Sequence, residues 1–128
     1  MNYYDEKEKE NTIKLREQLK TLPDFCKVFF RSIEPRTTSK TRLAYSYDLH
    51  VFFRFLAEYN PEFKDKKIEL SDIDKLSFQD IEEFMEYLKY YNDTNNKEKI
   101  NSVTGIKRKI ATLRSFYKYY YNNNLISN

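Results

Sequence analysis

Apolar residues recur at helical spacing along most of the chain. The clearest run is residues 39–59, which carry an apolar stripe at intervals of four, three, four and three residues, formed by Tyr45, Leu49, Phe52, Leu56 and Tyr59. Those intervals place the five side chains on one face of an α-helix. Asn60-Pro61 follows directly, and because proline lacks the amide hydrogen that a helix needs, the helix is predicted to end there.

A second long helix is predicted over residues 102–121. Its apolar residues again recur every three or four positions, and they are Val103, Ile106, Ile110, Leu113, Tyr117 and Tyr120. This face is expected to lie in the core. Ser102 is suited to begin the helix, because a serine hydroxyl can accept a hydrogen bond from an amide of the first turn.

Two weaker helical patterns precede these. Residues 5–20 are highly charged, residues 24–33 are mostly apolar, and Pro23 and Pro35 follow them in turn. We therefore expect a charged first helix and a short buried second helix, each ended by its proline.

A further helix is predicted at residues 77–91, with an apolar stripe of Ile81, Phe84, Leu88 and Tyr91. Ser77 and Asp80 have the spacing of a capping box, in which the two side chains bond each other's backbone amides. Residues 61–76 are interpreted as a charged connector and residues 92–101 as a polar loop. Together these patterns predict an all-α protein, a compact bundle of four to five helices.

The composition supports one folded helical domain. The chain has 128 residues, 40% hydrophobic and 17% aromatic, which is too apolar for a disordered chain. It contains one glycine and three prolines, too few for a fold rich in turns. The lone Cys26 excludes an internal disulfide and a thiolate metal site, and we expect it to be a small buried hydrophobe. We recognise neither a signal peptide nor an apolar run of the roughly 20 residues that span a bilayer, so a cytoplasmic protein with no membrane partner is expected.

Charge is unevenly distributed, although the net charge is only +3. Residues 36–57 carry four cationic side chains against Asp48, and residues 94–128 carry seven against Glu98. Residues 58–93 carry five lysines against eleven carboxylates. This segregation indicates a polyanion as the partner of the two basic segments.

The basic segments contain the candidate DNA contacts. On the helix at 102–121, Lys107, Arg114 and Lys118 form a stripe around Ala111, about a quarter-turn from the apolar stripe. A small residue among cations lets a helix backbone approach DNA phosphates closely. The candidate DNA-binding residues are Ser39, Lys40, Thr41, Arg42, Lys107, Arg108, Lys109, Arg114 and Lys118, with Arg36, His50 and Arg54 as weaker candidates.

Each candidate also has a structural explanation. The cations could form a solvated helix face, and residues 39–42 could serve only to cap a helix. Arg108 or Lys109 could instead neutralise the acidic residues at 80–86.

Two segments of the chain resemble the N-terminal core-binding domain of tyrosine recombinases, the family of phage integrases and Xer-type proteins. In TRLAYSYDLHVFFRFL, the family's Thr, Tyr, Asp-Leu and Phe are matched by Thr41, Tyr45, Asp48, Leu49 and Phe52. In TGIKRKIATLRSFYKYYYNNNLISN, the family's basic helix is matched by Arg108, Lys109, Ile110, Ala111, Leu113, Arg114, Phe116 and Tyr117. The preceding PDFCKVFFRSIEPRTTSKTR is similar to the lead-in of integrases from Gram-positive bacteria and their mobile elements. The resemblance covers roughly residues 24–128.

The resemblance implies a SAM-like core-binding domain at residues 23–128, preceded by a charged helix or extension at residues 1–22. It implies that this domain and a C-terminal catalytic domain, absent from this chain, clamp a double-stranded DNA half-site. The family's domain ends in Asn-Pro, and this chain stops at Ile126-Ser127-Asn128. The parent protein would cut and rejoin DNA through a tyrosine without a cofactor, and recombinases of this type would self-associate on DNA, with residues 5–20 or 80–91 as candidate contacts.

The chain itself is not expected to be an enzyme. It has twelve tyrosines, including the run at 119–121, but a nucleophilic tyrosine needs cations and acid–base partners around a phosphate. The one histidine, His50, falls in a different predicted helix. The alternative to a recombinase domain is a stand-alone helical DNA-binding regulator or a protein-interaction adaptor. A small enzyme is disfavoured, because the sequence has no metal-ligand cluster, glycine-rich phosphate loop or paired nucleophile and base.

Overall fold

The computed structural model describes residues 2–64 and 66–127. Its α-helices are α1 (Tyr3–Thr21), α2 (Cys26–Ile33), α3 (Ser39–Tyr59), α4 (Leu70–Asp74), α5 (Phe78–Lys89) and α6 (Val103–Asn122), and a short 3-10 helix spans Glu34–Arg36. Two antiparallel strands, β1 (Tyr90–Asn92) and β2 (Glu98–Ile100), form a hairpin between α5 and α6. The predicted all-α class is confirmed. The chain divides into two compact units, Met1–Glu69 and Leu70–Asn128.

In the first unit, α1 packs along α3. The Asn11 side-chain amide donates to the Ser39 hydroxyl at 3.2 Å, and the His50 Nε2 atom lies 2.8 Å from the Thr21 hydroxyl oxygen. Leu15 is the buried residue of α1, so this helix contributes mostly charged surface. The charged first helix is thus tied to α3 by polar contacts at its middle and at its end.

Aromatic side chains fill the core between α2 and α3. The Phe25 and Phe53 rings meet edge to face with 6.0 Å between centroids, and the Phe29 and Tyr45 rings stack at 6.5 Å. Of the predicted α3 stripe, Leu49, Phe52 and Leu56 are buried and Tyr45 is half-buried, as expected. Tyr59 is 60% exposed instead, because it lies in the last turn of α3 and stacks on Phe55 from outside.

In the second unit, α5 begins at the predicted capping box. The Asp80 amide donates to the Ser77 hydroxyl at 3.2 Å, and the Ser77 amide donates to the Asp80 carboxylate at 2.8 Å. The helix ends at Lys89, two residues before its predicted end at Tyr91, because the backbone from Tyr90 onward forms the first strand of the hairpin. The Asp93 carboxylate accepts from the amides of Asn95 and Lys97, each at 2.9 Å, and this closes the turn between the strands. The segment predicted as a polar loop is therefore a hairpin.

The buried face of α6 differs from the predicted stripe. Ile106, Leu113 and Tyr120 are buried as predicted, and Phe116 and Thr112 join them. Val103 was predicted in the core but is 70% exposed, and Ile110 and Tyr117 are only half-buried. At about 100° per residue, the core face is rotated away from the predicted one, so the stripe of Lys107, Arg114 and Lys118 lies nearly opposite the core instead of a quarter-turn away.

Candidate nucleic-acid interface

The outward face of α6 is a continuous stripe of cations. Lys107, Ala111, Arg114 and Lys118 are all exposed. Among residues 2–64 and 66–127, the side chains of Lys107, Arg114 and Lys118 take part in no hydrogen bond or ion pair. At 1.5 Å of rise per residue, the three charges follow about 16 Å of the helix. They are thus held on a rigid scaffold with no carboxylate from the described residues to neutralise them.

Packing on the opposite side of α6 holds this stripe in place. Phe116 and Tyr120 are fully buried and meet edge to face at 4.9 Å. The Tyr117 hydroxyl donates to the Ile73 carbonyl oxygen at 3.0 Å. Burial raises the pKa of the Tyr117 phenol, and the nearby carboxylates of Asp74 and Asp80 raise it further. This tyrosine therefore stays protonated and serves as a structural donor.

The two remaining cations of α6 are placed differently from the stripe. Lys109 is half-buried, and its ammonium donates to the Asn101 side-chain oxygen at 3.0 Å. The Asn101 amide in turn donates to the Leu88 carbonyl oxygen at 2.9 Å. Lys109 therefore supports the junction between the hairpin and α6. Arg108 is exposed but points to the flank of the helix rather than along the stripe.

At the start of α3, the four candidate residues do not form one surface. Thr38 is the N-cap, and its hydroxyl accepts from the Thr41 amide at 3.1 Å and bonds the Thr41 hydroxyl at 3.0 Å. Ser39 is buried against Asn11 of α1. Lys40 is exposed, and within the described part of the chain its side chain has no partner. Of these residues, Lys40 is the one placed to meet an outside anion.

Lys40 also borders a half-open groove of about 550 Å³ in the first unit. The groove is lined by residues from the start of α1 and the start of α3, namely Tyr3, Tyr4, Lys7, Glu8, Asn11, Thr38, Ser39 and Lys40. The N-terminal parts of both helices therefore share one surface around Lys40.

Arg42 is engaged by the connector that precedes α3. Its Nη1 atom donates to the Thr37 carbonyl oxygen at 2.6 Å, to the Thr37 hydroxyl at 3.2 Å and to the Glu34 carbonyl oxygen at 3.1 Å. Backbone carbonyls at the end of a helix and in a turn need donors, and a charged donor is a strong one. Arg42 thus fixes the entry into α3.

The weaker candidates in α3 also have internal partners. His50 faces α1, where its Nε2 atom lies 3.1 Å from the Gln18 carbonyl oxygen. Arg54 pairs with Glu58 at 2.9 Å. Arg36 is exposed at the end of the 3-10 helix.

The described residues contain no group of three or more His, Cys, Asp or Glu side chains that could hold a metal ion. No helix in the described part of the chain is long and apolar enough to cross a membrane. Cys26 is completely buried, and burial raises the pKa of its thiol to about 12. An inert thiol of this kind packs as a small hydrophobe.

Comparison with known proteins identifies the family. The model of the family described as "Phage integrase, N-terminal SAM-like domain" matches residues 28–124. The chain belongs to this family. The matched range of this phage integrase N-terminal domain begins within α2 and runs past the end of α6, so α1 lies outside it.

A curated relative agrees with this assignment. The integrase domain is 35% identical over 99 residues to the tyrosine recombinase XerC of Caldanaerobacter subterraneus subsp. tengcongensis. The alignment covers 73% of this chain and 27% of the relative, so the chain spans about a quarter of that protein's length. No solved structure matches the chain.

Sequence reasoning overlooked two features of this integrase domain. Tyr121 is 55% exposed and extends the α6 stripe by one turn beyond Lys118. Tyr47 is 46% exposed on the outward side of α3. The spacing signal was present in both cases, since Tyr121 follows Lys118 by three positions and Tyr47 follows Lys40 by seven.

Proposed function

We propose that this chain is the DNA-binding domain of a site-specific tyrosine recombinase that acts in DNA integration and recombination. The observation that carries the proposal is the α6 stripe of Lys107, Arg114 and Lys118, exposed and without partners in the described residues. Phosphates are the natural counterions for such a stripe, and phosphate contacts supply most non-specific DNA affinity. Membership of the integrase family supports duplex DNA as the polyanion.

In this proposal the chain binds DNA but does not catalyse strand cleavage. The core-binding role belongs to residues 23–128, and the charged segment at residues 1–22 contains α1, which packs against α3. A catalytic domain elsewhere in the parent recombinase would supply the tyrosine nucleophile and the residues around the scissile phosphate. The supporting fact is that the XerC relative is much longer than the part this chain matches.

Among the candidates, the surface placements favour Lys107, Arg114, Lys118 and Lys40 as phosphate contacts. Arg108 is exposed and is a further contact in this proposal. Ser39, Thr41, Arg42 and Lys109 would act indirectly, because they bond neighbouring parts of the chain.

A protein contact through α5 is a second part of the proposal. Glu82, Glu83 and Glu86 are exposed on this helix, together with Phe78, which is 78% exposed, and Met85. An acidic face repels DNA, while exposed apolar side chains beside it suit a protein surface. We infer that α5 takes part in self-association of the recombinase on DNA.

The DNA-binding proposal is tested by fluorescence anisotropy of a labelled duplex at several salt concentrations. For the wild-type chain, the logarithm of the binding constant should fall steeply with the logarithm of the salt concentration, and the slope of that line is the salt slope. Substituting Lys107, Arg114 and Lys118 together by glutamine should reduce the magnitude of the salt slope by about 0.9 for each phosphate that the variant no longer neutralises.

A matched control removes the same charge elsewhere in the second unit. Lys75, Lys89 and Lys97 are exposed, and their joint substitution by glutamine should leave most of the slope intact. An equal reduction of the slope in the two triple variants would show that only net charge matters and would exclude the stripe as the contact. Absence of binding by the wild-type chain down to low salt would leave the protein-interaction adaptor as the better explanation.

A further inference from the structure

The outward side of α3 carries a second stripe with the same spacing as the α6 stripe but different chemistry. On α6, Lys107 is followed at intervals of four, three, four and three by Ala111, Arg114, Lys118 and Tyr121. On α3, Lys40 is followed at the same intervals by Ala44, Tyr47, Val51 and Arg54. Both stripes thus have a lysine and then an alanine, but the middle of the α3 stripe is uncharged.

The α3 stripe is the part of that helix left open by the core. Leu49 and Leu56 lie on the opposite side and are buried, and Leu43 and Phe55 are buried on the two flanks. Tyr47 is exposed, while Ala44 and Val51 are half-buried. Among the described residues, the side chains of Tyr47 and Val51 have no ring contact or hydrogen bond. Ala44, Tyr47 and Val51, at the middle of the stripe, therefore form a narrow apolar ridge that the described part of the chain leaves accessible.

The charges around the ridge favour a polyanion as its occupant. Lys40 stands at one end without a partner in the described residues, and Arg54 at the other end is held by Glu58 at 2.9 Å. Of the other cations of residues 36–57, Arg36 is exposed and Arg42 donates to the connector, and Asp48, the one carboxylate of that segment, is buried. An apolar ridge between cations suits a DNA groove, whose walls are phosphates and whose floor shows base edges.

The dimensions of the ridge also agree with the major groove. From Ala44 to Val51 the helix rises about 10 Å at 1.5 Å per residue, and the major groove of B-DNA is about 12 Å wide. The apolar feature that a major groove presents is the C5-methyl group of thymine. Apolar side chains gain from burying a methyl group, whereas they gain nothing from a phosphate.

We propose that Tyr47 and Val51 contact thymine methyl groups in the major groove, with Ala44 allowing close approach and Lys40 bonding a flanking phosphate. The inference rests on the proposed DNA-binding function and deepens it. In this proposal the cations of α6 contact phosphates, and the centre of α3 contacts base edges. The result is a preference for thymine at the bases facing α3.

The test compares two duplexes that differ only in the methyl group. One contains thymine, and in the other every thymine is replaced by uracil. The wild-type chain should bind the thymine duplex more tightly, by about fourfold for each methyl contact. The variant carrying Tyr47→Ser and Val51→Ser has no side-chain methyl group or ring at the two positions, and it should bind both duplexes equally while keeping the salt slope of the wild type. Val28→Ser, at an exposed valine of α2, is the matched control and should keep the thymine preference.

The outcomes separate this inference from the function on which it rests. Equal wild-type binding to the two duplexes with a steep salt slope would overturn methyl reading and leave phosphate binding standing. A thymine preference that survives in the double variant would also overturn it, because another surface would then read the methyl groups. No binding to either duplex at low salt would overturn both proposals. Circular dichroism of each variant checks that the helices are intact.

Discussion

The Tyr117 hydroxyl donates a hydrogen bond of 3.0 Å to the carbonyl oxygen of Ile73, and this bond joins α6 to the short helix α4 within the second unit. Ile73 is almost fully buried, and Tyr117 lies on the flank of the α6 core face. The same short helix holds the C-terminal segment, since the Ser127 amide donates to the Asp74 carboxylate at 3.0 Å. A tyrosine that looks like a packing residue in the sequence is thus an anchor for the helix that carries the cationic stripe.

Removal of that hydroxyl should weaken the second unit without unfolding it. Tyr117→Phe keeps the ring but leaves the Ile73 carbonyl without this donor, so the free energy of unfolding should fall by about 1 kcal/mol. Urea denaturation followed by circular dichroism measures the change. Tyr121→Phe is the matched control, because the Tyr121 side chain is exposed and should not affect stability. Equal stability of the two variants would show that the Tyr117 hydroxyl contributes nothing to the fold.

Two neighbouring cations at the start of α3 should respond in opposite ways to substitution. Arg42→Ala removes the donor to the Glu34 and Thr37 carbonyls and should lower the free energy of unfolding by about 2 kcal/mol. Lys40→Ala removes an exposed charge without a partner in the described residues and should leave stability within about 0.5 kcal/mol of the wild type. In DNA binding, Lys40→Ala should reduce the magnitude of the salt slope by about 0.9, as expected for one lost phosphate contact.

Chemical denaturation and salt-dependent anisotropy, applied to both variants, check this pair. The assignment of Arg42 to the connector would be wrong if Arg42→Ala unfolded at the wild-type denaturant concentration. The assignment of Lys40 to DNA would be wrong if Lys40→Ala kept the full salt slope.

The buried thiol of Cys26 should make stability depend on alkaline pH. Its pKa is raised from 9.0 to about 12 in the folded chain, because burial disfavours the thiolate. Between these values the unfolded chain loses the proton while the folded chain keeps it, so stability falls as pH rises from 9 towards 12. Below pH 9 both states are protonated and the contribution is complete.

Comparison with Cys26→Ala isolates this effect from other alkaline titrations. The stability advantage of the wild type over Cys26→Ala should shrink by about 1 kcal/mol between about pH 8 and pH 10. Urea denaturation of both proteins at the two pH values measures it. A constant difference across that range would mean that the thiol titrates alike in the folded and unfolded chains.

Much of the local structure follows from residue spacing. The bounds of α3, the Ser77 capping box and the Ser102 cap of α6 all agree with the sequence predictions, because caps, prolines and apolar periods act within a few residues. The cationic stripe of α6 was likewise predictable, since residues at intervals of three and four share a helix face whatever the helix packs against. The end of α5 was missed, because the Asp93 turn and the cross-strand pairing that form the hairpin are not visible in the helical period.

The rest depended on what each helix packs against. Periodicity shows that α6 has an apolar face but not where the centre of that face lies, and packing buried Phe116 and Thr112 while exposing Val103. Similarly, the sequence makes both Arg42 and His50 candidates for DNA contact, because both lie in a basic helix. In the structure, Arg42 donates to a carbonyl of the connector, and the His50 ring lies against a carbonyl of α1. The helices, their caps and the alignment of their charges could be read from the residues alone, because these are set by neighbours along the chain. Which charges lack an internal partner was decided by packing, because that partner can come from a part of the chain far away in the sequence.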